Sequence, residues 1–143
     1  MPNLTARKNI LVIDDNPNDI GLIRTVLEDL RGIALHVAHS VLQAHAFLQK
    51  MPPYVVAPVP DLVLLDLHMP LLPGYNVIPL IRREPHLRHT KIVMFTSSSL
   101  STDRHKCDGL GADDFVVKPF DWHQWQSAIT QLLRRHGLLN DER

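Results

Sequence analysis

The chain has 143 residues, 15 basic side chains against 15 acidic ones, and a single cysteine, Cys107. That length suits one domain, which buries roughly two-thirds of its unfolded surface without covalent staples. Balanced charge argues against a nucleic-acid arm or a membrane-adsorbing face, one cysteine excludes an internal disulfide, and no apolar run reaches bilayer length. The opening MPNLTARKN lacks the apolar core of a signal peptide, and a lone thiol suits a reducing compartment, so a soluble cytoplasmic protein is expected. The nine histidines are scattered and show no zinc spacing with the cysteine.

In chain order, Ile10–Ile13 reads as a buried strand that runs into two carboxylates, Asp14 and Asp15. A helix follows, with Asn16 as its cap, Pro17 at its first position and Asp19 at its positive end. Its apolar residues, Ile20, Ile23, Val26, Leu27 and Leu30, recur at helical spacing. Ile33–Ala38 is a second strand and Leu42–Leu48 lies in a second helix. Met51–Pro60 carries four prolines, excludes a regular helix and is expected to be an extended, stiff excursion. Leu62–Leu65 is a strand of pure aliphatics. Tyr75–Arg83 forms a third helix, in which Pro79 predicts a late start or a kink. Ile92–Phe95 is the fourth strand, Thr102–Leu110 a less apolar helix, Phe115–Val117 the fifth strand and Trp122–Arg135 the closing helix.

Five rounds of strand and helix predict an α/β fold with a parallel sheet covered on both faces, which explains why the strands are continuously apolar. No repeat or second domain is apparent, and the residues after Arg135 are too few for an output domain. Ligands of open parallel sheets bind beyond the carboxyl ends of the strands. There the strands present Asp14 and Asp15, Asp66, Thr96, and Lys118 followed by Pro119. Clustered carboxylates suit a hard divalent cation such as Mg²⁺, with Asp15 and Asp66 as direct ligands and Asp14 acting through water. Asp66 is also placed to attack phosphorus as a carboxylate nucleophile, Lys118 to offset a phosphoryl oxygen, and Thr96 to donate to another. Taken singly, each residue reads as a cap, a solvated turn or a surface lysine. Their conjunction on one sheet edge carries the functional reading.

Asp14-Asp15, LLDLHMP around Asp66, FTSSS around Thr96 and VVKPF around Lys118 together resemble the receiver domain of two-component response regulators. The resemblance covers about residues 8 to 136. It implies a flavodoxin-like (βα)5 fold with sheet order 2-1-3-4-5. It also implies that Asp66 accepts a phosphoryl group from a sensor histidine kinase, with Mg²⁺ on Asp15, Asp66 and the backbone carbonyl of His68. Thr96 and Lys118 would bind phosphoryl oxygens, Phe115 would rotate into space vacated by Thr96, and a cis bond before Pro119 would aim Lys118. Side chains two residues beyond Asp66 and Thr96, here His68 and Ser98, would tune the lifetime of the aspartyl-phosphate. Asn-Pro-Asn-Asp, the proline-rich excursion and Glu84-Pro85-His86-Leu87 are similar to stand-alone receivers that partner bacterial phytochromes. Those imply a homodimer through the fourth helix, fifth strand and fifth helix, to which Trp122 and Leu138-Leu139 would contribute. Leu71-Leu72-Pro73 is unusually apolar and would border a partner.

Two other readings stand beside a phosphorylation switch. A phosphate-independent interaction module would ordinarily lack an acid, the acceptor or the lysine, and all are present. An aspartyl phosphatase or mutase would carry a second Asp two positions after its nucleophile, where this chain has His68. Relay to a histidine phosphotransfer protein is a variant of the switch. On the switch reading the chain is an enzyme only towards its own phosphorylation and dephosphorylation.

Overall fold

The computed structural model describes residues 7–139. Five strands, β1 (Lys8–Ile13), β2 (Ile33–Ala38), β3 (Leu62–Leu65), β4 (Lys91–Thr96) and β5 (Asp114–Val117), form one parallel sheet in the order β2-β1-β3-β4-β5. Five helices alternate with them: α1 (Pro17–Glu28), α2 (Val41–Leu48), α3 (Val77–Arg83), α4 (Ser101–Leu110) and α5 (Trp122–Arg135). This is the expected flavodoxin-like order.

The two-residue period of the strands divides the core. Along β1, Leu11 and Ile13 join a cluster with Phe47, Ile78, Ile81 and Cys107 under α2, α3 and α4. Ile10 and Val12 join the opposite cluster with Ile23, Leu27, Trp125 and Ile129 under α1 and α5. Both faces are therefore dry, as continuous apolar strands require. Leu138 is buried in the second cluster, and Trp122 and Leu139, each half-buried, pack against it.

Local chemistry sets the helix starts. The Asn16 side chain accepts from the amides of Asn18 and Asp19, and Pro17 occupies the first turn of α1. Ser40 and Asp121 cap α2 and α5 in the same way. The expected late start of α3 is observed. A short 3₁₀ turn, Gly74–Asn76, precedes it, and Pro79 falls in its first turn, where an amide hydrogen has no partner to lose.

The excursion departs from expectation. Residues 51–60 are not simply extended. The Tyr54 amide donates to the Met51 carbonyl at 2.6 Å and the Ala57 amide to that of Tyr54 at 3.0 Å, making successive turns around a cis Pro52-Pro53 bond. Tyr54 pins the segment to α2: its hydroxyl accepts from Gln43 Nε2 at 2.8 Å and its ring lies 5.5 Å from that of Phe47. These contacts with α2 reward folding back, which proline content alone does not reveal.

Candidate functional site

The backbone assembles the acidic edge. Beyond β1, the Asp14 amide donates to the Ala38 carbonyl at 3.1 Å, and the Asp66 amide donates to Ile13 at 2.9 Å. The ladder thus runs one residue past the strands and holds Asp14 and Asp66 side by side. Both are buried, whereas Asp15 is exposed. One carboxylate oxygen from each of Asp14, Asp15 and Asp66 lies within 4.8 Å of the others. An all-oxygen set with one open side fits a Mg²⁺ ion that retains waters.

Lys118 closes this cluster. Its amide donates to the Thr96 carbonyl at 2.7 Å, which fixes the backbone just past β5. Its Nζ donates to Asp19 at 2.7 Å, to Asp14 at 2.9 Å and to Asp66 at 3.3 Å, with the side chain 7% exposed. An ammonium has three donors, and here each meets a carboxylate. Burial alone would lower the amine's pKa. The Asp19 hydrogen bond and the charges of Asp66 and Asp14 outweigh it and raise the value, so the lysine stays charged. Asp14 shows the opposite balance: burial pushes its carboxyl above the ordinary range, beyond what the Asn16 amide and Lys118 restore, and Asp66 adds repulsion. Incoming positive charge would relieve that strain.

The two oxygens of Asp66 are held unequally. Oδ1 accepts from the Leu67 amide at 2.8 Å, while Oδ2 has, among the described residues, the 3.3 Å Lys118 contact alone. Gly74 presses on the same residue from behind: a Cβ there would stand 1.7 Å from the Asp66 carbonyl oxygen. The Gly74 amide also donates to the Leu67 carbonyl at 2.8 Å.

Thr96 is fully buried, and its Oγ1 accepts from the Ser98 amide at 3.3 Å. The Ser98 hydroxyl is taken by Asp103 in the first turn of α4. His68 is exposed in the loop after Asp66. Phe115 is only 7% exposed and belongs to the core, with the Arg104 guanidinium 5.9 Å from its ring centroid. The bond before Pro119 is not cis: the cis peptide among the described residues is Pro52-Pro53. Trans is the lower-energy form of such a bond. Lys118 is aimed instead by its three carboxylates, and Trp125 Nε1 anchors the Pro119 carbonyl at 2.7 Å. Sequence reasoning missed Asp19 as a site residue, because an acid in a first helical turn already has a reason to be there. It also missed Gly74, whose one signal is its place in the Pro73-Gly74 pair after β3.

A profile of the response regulator receiver domain matches residues 10–130. The chain is a member of that family. The receiver is 32% identical over 126 residues to the DNA-binding dual master transcriptional regulator RpaA of Synechocystis, covering 88% of this chain and 49% of that protein. The receiver spans about half the length of the first curated relatives it matches. Among solved structures, the phosphorylated cyanobacterial phytochrome response regulator RcpA superposes with a TM-score of 0.85 at 26% identity, over 90% of this chain and 93% of that one. The receiver domain of the sensor histidine kinase PA1611 from Pseudomonas aeruginosa, with magnesium coordinated in its active site cleft, gives 0.73 at 27%, over 91% and 97%. No helix among the described residues is long and apolar enough to cross a membrane.

Proposed function

We propose that this receiver is a phosphorylation switch in which Asp66 takes a phosphoryl group from a phosphohistidine. The observation that supports it best is the convergence of Asp14, Asp15 and Asp66 on one edge with Lys118 held among carboxylates. Transfer forms a bond between an Asp66 oxygen and phosphorus and breaks the phosphorus–nitrogen bond, and the departing imidazole takes a proton from solvent. Oδ2 is the less restrained oxygen and the one suited to attack. Lys118 donates to one phosphoryl oxygen. Thr96 Oγ1 accepts from Ser98, so its own hydrogen is free to donate to another. Asp15, Asp66 and the His68 carbonyl would hold Mg²⁺, with Asp14 acting through water. The metal supplies charge neutralisation to nucleophile and phosphoryl group alike. Hydrolysis returns the Asp66 carboxylate and inorganic phosphate, with exposed His68 and half-buried Ser98 bordering the path of water.

Thr96 would transmit the change to Phe115, already inside, and to the face of α4, β5 and α5. That face is our candidate for a homodimer or an output partner. The donor class is a sensor histidine kinase or a histidine phosphotransfer protein. Likeness to RcpA supports a bacteriophytochrome as the kinase. Residues 8 to 136 would act as a single receiver in the cytoplasm.

The test is intact mass after incubation with acetyl phosphate, with and without Mg²⁺, beside Asp66→Asn. A Mg²⁺-dependent gain of one phosphoryl group, lost in the variant, is expected. A folded, Mg²⁺-binding chain that gains nothing from acetyl phosphate or from a phosphohistidine donor would favour the phosphate-independent interaction module.

A further inference from the structure

Lys118 has more carboxylate around it than the switch chemistry uses. Asp14 and Asp66 belong to the metal cluster, and Asp19 does not. Yet Asp19 makes the shortest of the three contacts, 2.7 Å, against 3.3 Å to the acceptor. Its helical role is already filled, since Asn16 caps α1. The ammonium has no fourth donor. On phosphorylation the donor now aimed at Asp66 Oδ2 passes to a phosphoryl oxygen, and Lys118 must turn toward it against the pull of Asp19, the neighbour that grips it most closely.

We infer that Asp19 is a positioning residue that restrains Lys118, competing with the phosphoryl group for the ammonium and so limiting how firmly the phosphorylated state is held. This rests on Asp66 being the acceptor. The same carboxylate adds negative charge beside the metal cluster without touching it, so it strengthens cation binding through its field. Asp19 therefore acts in opposite directions on the two ligands. A purely structural residue would not: damage to α1 would weaken both.

The experiment compares wild type, Asp19→Asn and Asp19→Glu. Each is titrated with Mg²⁺ by calorimetry, and then, at saturating Mg²⁺, with beryllofluoride as a phosphoryl mimic. For Asp19→Asn we expect Mg²⁺ binding to weaken and beryllofluoride binding to tighten, each by about three- to tenfold, the scale of one partly screened charge at close range. Asp19→Glu restores both towards wild type. Unchanged affinities, or both falling together, would overturn the assignment of Asp19 while leaving Asp66 as acceptor. A wild-type chain that binds Mg²⁺ but no beryllofluoride would overturn both.

Discussion

At the scale of single residues, the backbone of Asp66 is more constrained than its side chain. A Cβ on Gly74 would fall 1.7 Å from the Asp66 carbonyl oxygen and 2.9 Å from its carbonyl carbon, and backbone atoms do not yield as a flexible side chain does. Gly74→Ala should cost about 1–3 kcal/mol, as overpacking does, and should slow phosphoryl acceptance by shifting Asp66. Urea unfolding reads the first effect and intact mass the second. Wild-type stability in this variant would contradict the contact. Asp14, Asp66, Thr96 and Lys118 were legible because each ends an apolar strand, and parallel strands bring such ends together. Asp19 and Gly74 were not. Asp19 meets Lys118 across 99 residues of chain, and the need for glycine at position 74 arises only when the turn closes against β3.

Among the elements, α4 is the most lightly seated. Its one buried side chain is Cys107, whereas α5 buries Trp125, Ile129, Leu132 and Leu133. Cations on aromatic faces help hold α4: Lys106 Nζ lies 4.0 Å from the Tyr75 ring centroid, and Arg104 faces Phe115. Burial, with Asp103 and Asp108 nearby, pushes the Cys107 thiol up to about 11. Near neutral pH the thiol should therefore react slowly, at a rate set by opening of the helix. Tyr75→Ala should speed labelling of Cys107 about two- to fivefold, the equivalent of a 0.5–1 kcal/mol cation–π contact. An unchanged labelling rate would mean that Lys106 and Tyr75 do not secure the helix. The polar sequence of α4 announced a weak helix, but nothing local paired Lys106 with Tyr75. The same gap explains the excursion, whose folded path depends on Gln43 and Phe47 of α2.

For the whole molecule, the two-layered core was readable from alternation and apolar runs and the sheet order was implied by the resemblance to receiver domains, while the ties between distant ends were not. Asp114, at the start of β5, is such a tie: Oδ2 accepts from Arg135 at 2.7 Å and contacts His136 Nε2 at 2.8 Å, joining the sheet to the end of α5. Burial alone would raise this carboxyl, but the bonds from His136, Arg135 and the Phe115 amide outweigh it and hold the value below the ordinary 3.8. The native state thus binds fewer protons than the unfolded chain near that pH. Its stabilisation is complete above 3.8 and fades as pH falls through the lowered value. Asp114→Asn should lose about 1–2 kcal/mol at neutral pH, and the gap from wild type should close on acidification. Urea midpoints across pH measure this, and a constant gap would refute it. The groove at the other side of the sheet has a different consequence. It is lined by His36 and Val37, consecutive residues of β2 that point to opposite faces, together with Pro53, Tyr54, Val56 and Pro58. His36 and Val37 share this groove with the proline-bearing segment, so that segment stands beside the open border of the sheet at β2. Proline has no amide hydrogen to extend a sheet ladder, and the opposite border, β5, is only four residues long. A four-residue border and a border with prolines beside it are both poor templates for strand addition, so a concentrated solution of this chain should resist edge-to-edge polymerisation.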